Sequence, residues 1–147
     1  MDGNRIVGKT IMEMIILSTE GLPLFLAYLG TAIGLTLAYI IIYIWVTPHP
    51  EIALIRQNNL AAATAFSGSL IGFCVPLANA IAGSVSLIDC ALWGLIALAV
   101  QIVIYFLARL PMPSISERIK KGEMASGIWL GSTSLAGGIL NAACMTY

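Results

Sequence analysis

The sequence predicts an all-α fold: a multi-pass transmembrane four-helix bundle made of two tandem helical-hairpin repeats. Three observations lead there. Of the 147 residues, 59% are hydrophobic and only 10% charged, with mean hydropathy +0.95, whereas a soluble domain carries about 25% charged residues to cover its surface. The charges avoid four blocks, Gly21–Val46, Leu60–Ile88, Cys90–Ala108 and Met124–Tyr147, each near or above the roughly 20 helical residues that cross a hydrocarbon core. A proline-bearing polar stretch, TPHPEIALIRQNNLAAATAFSG from Thr47, returns as LPMPSISERIKKGEMASGIWLG from Leu110.

Taken in order, residues 1–20 read as an N-terminal extramembrane lead-in that suits an interfacial helix. Glu13 and Glu20 interrupt its apolar patch and no small-residue cleavage site follows, so it makes a poor signal peptide. The first hairpin is expected over residues 21–82, with spans at about 23–46 and 60–82. It opens near Pro23, a residue suited to a first helical turn. The second is expected over residues 83–147, with spans at about 90–109 and 124–145. Pro48-x-Pro50 stops the first span and presets the next helix. Ser114 and Glu117 have capping-box spacing. Ile52 with Ile55, and Ile115 with Ile119, share a helical face that would rest on the membrane surface. Asn58 and Gly122 tolerate left-handed backbone and should end the two short helices. Asp89 is placed to cap the third span. Tyr39, Tyr43, Trp45, Trp93, Tyr105 and Phe106 fall at span ends, where aromatic rings prefer the headgroup level.

The two elbows superpose in sequence. Pro48 and Pro50 match Pro111 and Pro113 at an offset of 63, Ile55 and Arg56 match Ile119 and Lys120 at 64, and Asn79 matches Asn141 at 62. Each unit crosses the membrane twice, so the repeat is parallel rather than inverted. The elbow side carries Arg56, Arg109, Arg118, Lys120 and Lys121, and the other side only Arg5 and Lys9. Positive-inside counting therefore puts the elbows in the cytoplasm and both termini in the periplasm. The basic residues Arg56, Arg118, Lys120 and Lys121 become candidates for contact with a partner or with anionic lipid.

Within the spans, glycines four apart recur as Gly30 and Gly34, Gly68 and Gly72, and Gly127 and Gly131. Small residues let helices approach closely where lipid gives no hydrophobic drive, so spans one, two and four should pack tightly, with span three more open to lipid. Such faces also favour a homo-oligomer. Asn79, Gln101 and Asn141 are strongly polar groups at depth, with Ser132, Thr133 and Ser134 nearby in sequence. They read either as glue between helices or as the lining of a polar path, to which Pro76 would add the carbonyl of Gly72 that it deprives of a hydrogen bond. Cys74, Cys90 and Cys144 lack CxxC spacing and read as buried free thiols, a Cys90–Cys144 bond being the alternative.

Several classes of function are disfavoured. Zero net charge offers no basic surface to nucleic acid. His49 is the only histidine and lies in a loop, so no histidine metal cluster or serine–histidine dyad forms within one chain. No GxGxxG or P-loop occurs, and no carboxylate lies mid-span to relay protons. No catalytic, metal or cofactor site is expected.

The ordered strings TPHPEIALIRQNNLAAA, GFCVPLANAI, LIDCALWG, QIVIYFLARL and GGILNAACM, across roughly residues 21 to 145, resemble the YjfL-like family of small bacterial inner-membrane proteins, a domain of unknown function. The family usually has glycine where this chain has Asn58, which keeps the tolerance for left-handed backbone. The resemblance implies a four-helix multi-pass protein of the inner membrane, and it also suggests a membrane-stress protein as partner. Two functions follow as expectations. One is a non-enzymatic structural or regulatory membrane component, a homo-oligomer acting through its cytoplasmic elbows. The alternative is a conduit for an ion or small solute along Asn79, Gln101 and Asn141.

Overall fold

A computed structural model describes residues 19–145, and every regular element among them is helical. The order is α1 (Leu22–Val46), α2 (Glu51–Arg56), α3 (Leu60–Gly83), α4 (Leu87–Arg109), α5 (Ile115–Lys120) and α6 (Met124–Cys144). The lead-in expected over 1–20 lies outside the described residues except for Thr19 and Glu20, as do Arg5 and Lys9. Helices α1, α3 and α4 are long and apolar enough to cross a membrane. Helix α6 has 21 residues, but its glycines, serines, threonine and asparagine make it less apolar than the other three.

Local chemistry sets the helix ends. Pro23 sits in the first turn of α1, and Thr47 closes that helix by donating its hydroxyl to the Tyr43 carbonyl at 2.9 Å. Asn59 caps α3, its side-chain oxygen accepting from the Ala62 amide at 3.0 Å. Ser86, rather than Asp89, is the N-cap of α4. Its hydroxyl accepts from the Asp89 amide at 3.2 Å while the Asp89 carboxylate accepts from the Val85 amide at 3.1 Å. The box expected from Ser114 and Glu117 does not form. Ser114 lies in the left-handed region with φ 61 and makes no side-chain cap, and the Glu117 carboxylate turns to Lys120 instead, at 2.8 Å.

Both short helices end alike. The Asn58 and Asn59 amides donate to the carbonyls of Ile55 and Leu54, both at 3.0 Å. Those of Gly122 and Glu123 donate to Ile119 at 2.9 Å and Arg118 at 3.0 Å. This is the Schellman pattern, and the left-handed residue it needs is Asn58 (φ 64) in one elbow and Gly122 (φ 78) in the other.

The tightest seam is α3 against α6. A methyl group added at Gly68 would come within 2.5 Å of the Gly131 backbone, and added methyls at Gly127 and Gly138 would strike the backbones of Ala61 and Gly72. The carbonyl deprived of its partner by Pro76 therefore faces Gly138 across the seam instead of opening a path. Helix α4 lies across both, and Gln101, Leu98 and Ala97 are buried there.

Helix α1 is peripheral, which corrects the expected close packing of spans one, two and four. Gly30 and Gly34 face outward, and an added methyl at either would meet nothing within 4 Å. The reason is aromatic bulk. Tyr39 stacks on Phe73 with centroids 4.5 Å apart, and Tyr43 meets Phe66 at 5.7 Å and Tyr105 at 5.6 Å. These rings fill the space between α1 and its neighbours, and Leu35 reaches the notch left by Gly94 on α4. Tyr39, Tyr43 and Tyr105 thus belong to the core and not to an interfacial belt, while Trp45 remains 88% exposed. Ile115 and Ile119 are likewise buried in the core, against the expected membrane-surface placement, and Ile52 stays exposed. Cys90 is buried, Cys74 and Cys144 are exposed, and all three thiols are free.

Candidate functional site

Gln101 and Asn79 each bond to the backbone of a neighbouring helix, and not to each other. Gln101 donates to the carbonyl of Ser134 at 3.0 Å and, at a longer 3.4 Å, to that of Ser69. It thereby links α4 to both sides of the α3–α6 seam. Ser69 also meets the Tyr39 hydroxyl, at 2.5 Å, which brings α1 to the same level. Asn79 donates to the Ala142 carbonyl at 2.7 Å. It lies ten residues along α3 from Ser69, about 15 Å at 1.5 Å per residue. Asn79 borders an end cavity of about 250 Å³ with Ser84, Trp93 and Met145, and the Asn141 nitrogen is buried without a partner.

At the other end the two elbows are clasped. The Asn59 side-chain amide donates to the Ile119 carbonyl at 2.8 Å and to that of Lys120 at 3.3 Å, while its oxygen caps α3. One asparagine therefore ties the end of the first elbow to the end of the second. A shallow groove of about 420 Å³ lies over this junction, bordered by Gln57, Asn58, Lys120 and Lys121. Among the four basic candidates, Arg118 pairs with Glu123 and Lys120 with Glu117. Arg56 and Lys121 are exposed and make no ion pair among the described residues. The Lys120 ammonium holds the Glu117 carboxyl below its ordinary value, first through the hydrogen bond and then through its charge. A carboxyl lowered in this way contributes above the ordinary carboxylate range and loses its contribution as pH falls through the folded value. Glu117 is exposed, so water screens the pair.

The most unusual chemistry sits beneath the first elbow. Glu51 and His49 are buried side by side with Tyr43. The Nε2 atom of His49 lies 2.8 Å from Oε1 of Glu51, and the Tyr43 hydroxyl donates to that same oxygen at 3.2 Å. Tyr105 and Ser116, both buried, close the site from α4 and α5, and the Arg109 guanidinium stands 5.5 Å over the Tyr105 ring, within cation–π range. The far sides of two groups end without partners: Nδ1 of His49 and Oε2 of Glu51. Polar atoms so placed are rare in folded proteins.

Comparison with known proteins now adds lineage. Residues 16–145 match the family described as Domain of Unknown Function (DUF350). The chain belongs to the DUF350 family. It is 43% identical over 128 residues to the UPF0719 inner membrane protein YjfL of Escherichia coli K12, covering 87% of this chain and 97% of the relative. The corresponding protein of Escherichia coli O157:H7 matches to the same extent. No solved structure matches.

In this DUF350 chain, no group of three or more His, Cys, Asp and Glu residues among the described ones could hold a metal ion. The buried His49–Glu51 pair was not anticipated from the sequence, which placed His49 in a loop and attached no role to Glu51. One sign was available. The matching positions of the second elbow, at the offset of 63, are Met112 and Ser114. A histidine and a glutamate confined to one copy mark a local difference that helix-stop chemistry does not require.

Proposed function

We propose that this DUF350 protein is a non-enzymatic, structural or regulatory component of the bacterial inner membrane, acting as a homo-oligomer through its paired basic elbows. The observation that carries the reading is the Asn59 clasp, which makes one polar platform of two elbows and leaves Arg56 and Lys121 exposed upon it. In this reading α6 is a fourth span, since its 21 residues carry no charge and suffice to cross a bilayer. The elbows then face the cytoplasm and both termini the periplasm, in keeping with the excess of basic residues on the elbow side. Tandem hairpins account for the identical Schellman endings at Asn58 and Gly122. A membrane-stress protein is one partner the platform would suit.

The alternative, a conduit for an ion or small solute, draws little support from the amides. Gln101 and Asn79 direct their donors to carbonyls of neighbouring helices and stand at well-separated levels. Near an anionic surface a basic residue contributes about 1 kcal/mol. Reversing Arg56, Lys120 and Lys121 to glutamate should therefore weaken binding to vesicles of anionic lipid about a hundredfold, or remove a co-purifying partner protein. Undiminished binding of both would overturn the platform reading.

A further inference from the structure

Glu51 is an acid with no exposed side-chain surface, and a carboxylate so placed is tolerated only in company with a compensating charge. Its neighbour His49 is equally buried and supplies that possibility. We propose that His49 and Glu51 hold one shared titratable proton, and that this proton locks the first elbow onto the bundle.

Charge counting carries the inference. With one such proton the pair is net neutral, whether the proton rests on the imidazole or on the carboxyl. A second proton leaves an imidazolium beside a neutral acid, net +1. Loss of the first leaves a carboxylate beside a neutral imidazole, net −1. Either net charge is desolvated by the surrounding rings, and opening of the elbow to water relieves it. Two unpartnered atoms, His49 Nδ1 and Glu51 Oε2, are where a proton can be gained or lost without breaking the bond between the pair. The neighbours do not remove the need for balance. From α1 comes Tyr43 and from α4 come Tyr105 and Arg109, Tyr105 lying within electrostatic reach of Glu51. From α5 come Ser116 and Glu117, the latter within electrostatic reach of His49 but hydrogen-bonded to Lys120. Arg109 contacts Tyr105 and Glu117 is bonded to Lys120, and among the described residues neither makes an ion pair with His49 or Glu51.

The position of the pair makes it a lock. His49 stands between two prolines, Glu51 is the first residue of the six-residue α2, and Tyr43 belongs to the last turn of α1. The far end of the elbow is held by Asn59, so the pair is its front fastening. The second elbow has Met112 and Ser114 at the matching places, and its ion pairs, Arg118 with Glu123 and Lys120 with Glu117, lie at the surface rather than buried, which gives an internal control.

The test is amide hydrogen exchange on the full chain in lipid nanodiscs, corrected for intrinsic rate, followed as a function of pH over residues 47–59 and 110–123. Protection of the first elbow should be greatest in a middle range and fall about tenfold on both the acid and alkaline sides, while the second elbow, whose surface carboxylate pairs can weaken only on the acid side, shows no alkaline fall. Because His49 is the only histidine, its ring nitrogens in a ¹⁵N spectrum should change protonation at one of the two limits, the alkaline one if the proton rests on the imidazole and the acid one if it rests on the carboxyl. Those limits belong to the pair and not to either residue. Glu51→Gln should abolish the alkaline fall and keep the acid one, and His49→Asn should do the reverse. A flat wild-type profile overturns the proposal, as does a profile shared with the second elbow. An imidazole transition that coincides with neither limit also overturns it, and this measurement needs no variant to fold.

Discussion

At Gly72 a single methyl group is enough to disturb the seam. The added carbon would meet the Ser134 carbonyl oxygen at 2.5 Å and the Gln101 nitrogen at 2.7 Å, and the first of these is backbone that cannot swing aside. Gly72→Ala should cost about 3 kcal/mol, the upper end of ordinary overpacking. Gln101→Leu should cost about 1 kcal/mol or less, as is usual for a polar contact between spanning helices. Its Oε1 atom has no partner to lose, and the Ser134 carbonyl lies within a helix. Denaturation of both variants in detergent orders the two effects, and a larger loss at Gln101 would sink the steric account. Gly72 was legible in the sequence as half of a glycine pair, but so were Gly30 and Gly34, which pack on nothing within the protomer. Spacing identifies a smooth helix face. It does not say whether another helix arrives there.

Between elements, the decisive contact is the Asn59 clasp. Asn59→Ala removes a helix cap, commonly worth about 1 kcal/mol, and a hydrogen bond between the elbows, worth about 1 kcal/mol more. A loss of about 2 kcal/mol in thermal or denaturant unfolding is expected, together with faster amide exchange in both elbows. If only residues 60–63 respond, the link to α5 contributes nothing. Much of the elbow was readable beforehand. Prolines at 48 and 50 stop α1, and Asn58 and Gly122 take the left-handed conformation that ends α2 and α5. What escaped was direction. Ile115 and Ile119 point into the bundle, and Ser114 takes a backbone conformation that forbids the capping box its spacing promised. Both outcomes depend on where α5 docks, which no local pattern encodes.

Across the whole molecule, α1 stands outermost and shows Leu26, Gly30, Ile33, Gly34, Leu37 and Ile41. Should copies of the chain associate through this face, Gly30→Leu with Gly34→Leu would shift the oligomer towards monomer without unfolding the protomer, because both sites are open. Native mass spectrometry or crosslinking in membranes reads this directly; an unchanged oligomer moves the interface elsewhere. By itself, the sequence determined that the chain is helical and membrane-embedded, where its first long helix stops and where its two short helices end, since those properties follow from hydrophobic runs, prolines and left-handed residues acting within a few positions. Only the tertiary structure decided which glycines pack, that three tyrosines turn inward, and that His49 and Glu51 are buried together. Those outcomes arise from side chains on different elements competing for one interior, and the rotation of each helix about its axis is fixed only when all of them pack at once.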